Sequence, residues 1–273
     1  MASISFDEIT SSPIFRFVVG PKGRQFTIHS ALVASQSPAL RALIIGGFKE
    51  SESKEVVWEA VDEKTFVRFC EYIYTGDYQD EVPKTNQAPN KLVLEDELSV
   101  ASHLKIRHEE EGSGDDMGDA YDSVSGEVKT AKREQQWESF LNAWYPDSRP
   151  NRAFQAREND DQAFEYTEVF LCHARLYTFA DYHGVAPLME LSIHKLHQIL
   201  VKFILYDERV EDIVKLLEYC FTTDTPQALR HLLVHYASCQ VEKLWEIQAF
   251  RDLVGKHGDL SVELINEMLP RLD

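Results

Sequence analysis

Ten histidines and four cysteines are the side chains best suited to do chemistry, and their spacing says what that chemistry could be. His231 and His235 stand four apart in His-Leu-Leu-Val-His, so they share one helix face, as a pair of zinc ligands would. A zinc protease needs a glutamate directly after the first histidine to activate water, and Leu232 stands there instead. The expectation is two histidines at a core edge and no metal. His194 and His197, three apart, read the same way. Cys172-His173 suggests a thiol beside an imidazole, but adjacent helix residues point about 100° apart and do not face each other. Glu109-Glu110-Glu111 lies in a polar, glycine-rich stretch, whereas paired carboxylates catalyse only at a fixed separation. Gly112-Ser113-Gly114 sits in the same acidic stretch and cradles no phosphate. No P-loop, dinucleotide fingerprint or nucleophile elbow occurs. No enzyme, cofactor or metal is expected.

The elements that would position these residues follow from periodicity. Phe15, Phe17 and Val19 alternate as a strand, Gly20-Pro21-Lys22-Gly23 turns, and Phe26 and Ile28 alternate again, a hairpin over 15–28. A short helix starts near Ser30, and Ser37-Pro38 starts another, with serine accepting a free N–H and proline needing none. Gly46-Gly47 ends it. Val56-Val57-Trp58 reads as a buried strand. Asp62 caps a helix whose Phe66, Phe69, Cys70 and Ile73 make one face, stopping at Gly76. From Tyr166 the chain is helical throughout, in six successive apolar stripes, the fifth running from Val241 to near Gly258.

Between these parts the composition shifts. Residues 79–161 hold 19 acidic and 10 basic residues, a net of −9 within a chain of −18. The stretch 109–126 is too poor in apolar residues to offset its ordering entropy and is expected to be disordered. Residues 92–106 read as a weak helix. Trp137, Phe140, Leu141 and Trp144 fall at helical spacing, and their stripe is expected to dock on the body, a free partner-binding helix being the alternative. The overall acidity disfavours nucleic acid and anionic membranes. Four sparse cysteines and no signal-like N-terminus place the chain inside the cell, in cytoplasm or nucleus.

The text Phe15-Arg16-Phe17-Val18-Val19-Gly20, then Phe26-Thr27-Ile28-His29-Ser30-Ala31-Leu32-Val33-Ala34-Ser35-Gln36-Ser37-Pro38, then Tyr72-Ile73-Tyr74-Thr75-Gly76-Asp77-Tyr78 resembles a BTB/POZ domain. The helix around His173 to Asp181 and the text Leu229-Arg230-His231-Leu232-Leu233-Val234 are similar to the filamentous-fungal branch of that family. The resemblance implies an α+β BTB/POZ fold, a small sheet covered by helices, with an all-helical C-terminal extension. It implies an N-terminal segment 1–14, a domain in two parts (15–78 and 166–203), an acidic, largely disordered insert 79–165, and an extension 204–273. Pro13-Ile14 and His29-Ser30 depart from the Asp-Val and His-Lys often seen in animal members.

The resemblance also implies function: a protein–protein interaction module, scaffold or adaptor, whose partners are proteins, a second copy in a weak dimer among them. The alternative is a substrate adaptor of a cullin-type ubiquitin ligase. Cullin-binding members carry an apolar residue, any residue, then Glu in the loop before the third core strand, which makes Phe48 and Glu50 the candidate partner-binding residues.

Overall fold

The computed structural model describes residues 4–85, 123–146 and 154–271, with side chains from 132 onward in the second stretch. After α1 (Phe6–Ser11), β1 (Ile14–Val19) and β2 (Arg24–His29) form the expected antiparallel hairpin, with Phe17 opposite Phe26. Then come α2 (Ser30–Ala34), α3 (Pro38–Ile45), α4 (Lys49–Ser53), β3 (Glu55–Trp58) and α5 (Glu63–Thr75). β3 runs parallel to β1 and completes a three-stranded sheet in the order β2-β1-β3. It is an edge strand rather than a buried one: Val56 faces the core while Val57 is 54% exposed, the alternation a half-covered sheet imposes.

Local chemistry explains the boundaries. Ser37 accepts the Leu40 N–H at 3.0 Å and caps α3. Asp62 accepts the Thr65 N–H at 2.9 Å and caps α5, and Gly76, at φ 75°, ends it in a left-handed turn. Phe66, Phe69 and Ile73 of α5 pack with Phe15, Phe17 and Val19 in the first core.

Next come β4 (Lys84–Thr85), α6 (Ser123–Leu141) and β5 (Phe164–Glu165). β4 pairs antiparallel with β5, so the expected insert leaves and re-enters the body at one place. The expected helix over 92–106 and the acidic stretch up to Asp122 lie outside the described residues; 123–126 begin α6. The stripe of α6 docks as expected through Phe140, which is fully buried, but Trp144, beyond the helix end, is 82% exposed.

The remaining helices are α7 (Thr167–Tyr182), α8 (Ala186–Lys202), α9 (Val210–Thr222), α10 (Gln227–Cys239), α11 (Val241–Trp245), α12 (Gln248–Lys256) and α13 (Gly258–Met268). The single helix expected from Val241 to Gly258 is broken at Glu246-Ile247, where the Arg251 guanidinium takes the Trp245 carbonyl and Ile247 is extended. α7 and α8 serve two cores. Leu176, Phe179, Leu188 and Leu191 pack into the first, Phe170, Ala174, Leu196 and Leu200 into a second with α9, α10, α12 and α13. No helix among the described residues is long and apolar enough to cross a membrane.

Candidate functional site

The route to Phe48 and Glu50 begins with two glycines. Gly46 donates its N–H to the Ala42 carbonyl at 2.7 Å, and a Cβ at Gly46 would lie 2.2 Å from that oxygen. Gly47 takes φ 75°, a conformation glycine adopts freely. The chain thereby turns sharply out of α3, and Phe48 becomes the N-cap of α4, its carbonyl accepting from the Ser51 N–H at 3.0 Å. α4 ends at Lys54 in the left-handed region, and the Lys54 carbonyl accepts the Arg16 N–H at 2.9 Å, fixing the turn to β1. The residues expected in a loop thus sit on a short helix anchored to the sheet.

Phe48 is 59% exposed and Ile45, just before the turn, 62%. Glu50 is half-buried and Glu52 exposed. Large apolar side chains beside carboxylates form a surface suited to grip a protein. Gly46→Ala should lower stability by about 1–3 kcal/mol, because the added methyl must displace the α3 carbonyl. Thermal unfolding measures this; an unchanged midpoint would contradict the close approach.

The residues screened for chemistry lie apart from this surface. Cys172 Sγ donates to the Val169 carbonyl at 3.1 Å, and burial pushes its thiol up to about 11. Burial likewise pushes Cys70 to about 12 and Cys239 to about 11, so each stays a thiol near neutral pH. His173 turns away from Cys172 and shares a 2.6 Å hydrogen bond with the Tyr78 hydroxyl; burial, then the Lys195 charge, keep it neutral. His231 Nε2 meets Glu267 Oε1 at 3.3 Å, yet no metal-holding cluster of three such groups occurs among the described residues. His194 Nδ1 and His197 Nε2 donate to the Tyr145 and Phe140 carbonyls at 2.8 and 2.9 Å. His29 Nδ1 lies 3.0 Å from the Tyr74 hydroxyl, tying the hairpin to the end of α5.

One polar group escaped sequence reasoning. Lys195, 2% exposed, donates from Nζ to Asp77 Oδ1 at 2.7 Å and to the Tyr78 carbonyl at 2.6 Å, and sits 4.0 Å above the Tyr78 ring. Arg68 Nε donates to the Gln79 carbonyl at 3.1 Å, and its Nη2 pairs with Glu81 at 2.7 Å. Together they strap residues 77–81 to α5 and α8. The available signal was a lysine inside the apolar stripe of Leu191, Leu196 and Ile199. A groove of about 600 Å³ also opens where β3 leaves the sheet, lined by Trp58, Thr178, Phe179, Tyr182 and Tyr219.

Residues 15–111 match the family model of the BTB/POZ domain. The chain is 32% identical over 85 residues to Kelch-like protein 40 of Xenopus laevis, covering 31% of this chain and 12% of that protein. It is 36% identical over 75 residues to Kelch-like protein 28 of Homo sapiens, covering 25% and 13%. The similarity therefore spans about an eighth of those relatives' length. The hairpin, the parallel third strand and the helices around them lie within the matched stretch, and the chain carries a BTB/POZ domain, a protein–protein interaction module.

Proposed function

We propose that this chain is a non-enzymatic scaffold or adaptor whose partner contact includes Phe48 and Glu50. The observation that carries the reading is an aromatic residue left 59% exposed at the start of a helix anchored to the sheet, with Ile45, 62% exposed, just before it. The proposed layout is an N-terminal segment 1–14, a BTB/POZ domain in parts 15–78 and 166–203, an acidic insert 79–165 and a helical extension 204–273. The likeness of 173–181 and 229–234 to filamentous-fungal members supports that layout. The second reading, a substrate adaptor of a cullin-type ubiquitin ligase, is favoured by the order apolar residue, any residue, Glu at the start of α4. Titration against a cullin N-terminal domain separates the two: binding at micromolar protein supports the adaptor, and none at tens of micromolar leaves the scaffold.

Self-association is proposed to be weak. α1 offers Ile9 to the first core and leaves Phe6 exposed, a small apolar contribution for a second copy. Sedimentation across a concentration series should show a monomer at nanomolar protein; a dimer persisting there would contradict this.

A further inference from the structure

Four of the ten histidines gather around one helix. The C-terminal half of α6 lies against α8, α10 and the turn Leu269–Arg271. Phe140 is fully buried, its ring 5.0 Å from His197, 5.3 Å from His235 and 5.5 Å from Tyr236, and stacked on Trp137 at 5.4 Å. The Phe140 carbonyl accepts from His197 and the Tyr145 carbonyl from His194. His235 hydrogen-bonds the Gln136 backbone, and its ring lies 6.3 Å from that of His231. Gln136 Nε2 donates to Ser238 Oγ at 2.7 Å and to the Glu267 carbonyl at 2.8 Å. The geometry points to a proton-sensitive latch: protonation of His197 and His235 expels residues 132–145 from the surface of α8 and α10.

The reason is that the docked helix covers these two rings. An imidazole closed in by apolar and aromatic groups gives up the hydration its charged form needs. Burial is the leading cause that holds both His197 and His235 below the ordinary histidine range, and it outweighs the α6 backbone bonds at Phe140 and Gln136, which favour the protonated rings; His197 also feels His194 and His235, and His235 feels His231. The charged groups facing them are few. Glu267 of α13 favours protonation of His235, while Arg271 bonds the Gln136 side chain and Arg133 of α6 acts on nearby Cys239. Once α6 leaves, the rings meet water and bind protons more readily. Protons therefore favour the undocked form: docking is fully present above the ordinary histidine range and is lost as pH falls through it. Release uncovers Trp137 and Phe140, an apolar stripe of the kind a partner groove accepts.

Amide exchange on the full chain, corrected for intrinsic rate, tests the latch. Between about pH 7.5 and about pH 5.5, protection of 132–145 should fall about tenfold or more while α5 and α9 hold theirs. His173 and His183 are also buried and kept neutral, His183 at about 4, so global acid weakening must be told apart from local release. The double variant His197→Gln/His235→Gln should keep its protection within about threefold over that range. Phe140→Ala should lose it at both pH values, which ties the readout to docking. The latch is overturned if wild-type protection changes less than about threefold, if the double variant responds as the wild type does, or if α5 and α9 fall in parallel. Should the double variant not dock near neutral pH, His235→Gln alone decides: a smaller pH response than wild type supports the latch, and an equal one overturns it.

Discussion

Asp77→Ala should lower the unfolding free energy by about 3 kcal/mol, more than any other polar substitution in the strap. Lys195 is 2% exposed and its ammonium lies 2.7 Å from Asp77 Oδ1. Removing the carboxylate takes away a counter-charge held 2.7 Å from a buried ammonium that also meets the Tyr78 carbonyl and the Tyr78 and Phe154 rings. The loss comes from poorer compensation of the buried charge, not from the intrinsic worth of the pair, which burial largely cancels. Asp77→Ala combined with Lys195→Met should therefore recover more than half of it, because the thioether fills the space without a charge. Urea unfolding followed by circular dichroism measures all three chains. If the double variant is no more stable than Asp77→Ala, the strap is held by packing and not by charge.

Phe48→Ala should weaken partner binding by about 2 kcal/mol, close to a 30-fold rise in Kd. The ring is already exposed in the free chain, so its loss costs the fold little and the partner much. Glu50→Ala should follow at about 1 kcal/mol, since a half-buried carboxylate beside the ring is better held than a free one. Glu52→Ala, exposed and two residues on, should change Kd by less than about twofold. Calorimetric titration of the wild type and the three variants against one purified partner, a cullin N-terminal domain being the first choice, gives the ranking. An equal loss from Glu52→Ala would mean that bulk negative charge makes the contact.

Much of this fold is legible in the sequence because single elements carry their own signals. Phe15, Phe17 and Val19 alternate over a turn that glycine and proline impose, and Phe66, Phe69 and Ile73 recur at the helical period behind a capping aspartate. Features that depend on distant pairing are not written locally. The outward face of Val57 follows from helices covering only one face of the sheet there, which no stretch of four residues can state. The break at Glu246-Ile247 has no glycine or proline to mark it; it comes from an arginine in the next helix reaching back. Lys195 looks like a surface lysine until residues 118 positions away close over it. The candidate contact divides the same way. Phe48 and Glu50 come from a pattern in the text, whereas the exposure of the ring and the tie from Lys54 to β1 come only from the folded chain.

The most direct measurement compares what copurifies with the intact chain and with its variants at native expression level. Tagged wild type, Phe48→Ala and Glu52→Ala are isolated side by side, after circular dichroism has shown equal folding. The account predicts at least one protein, at near-stoichiometric amount, whose recovery drops about tenfold or more with Phe48→Ala and holds with Glu52→Ala. Partners recovered equally with all three chains would contradict it, because the interaction would then run through some other surface.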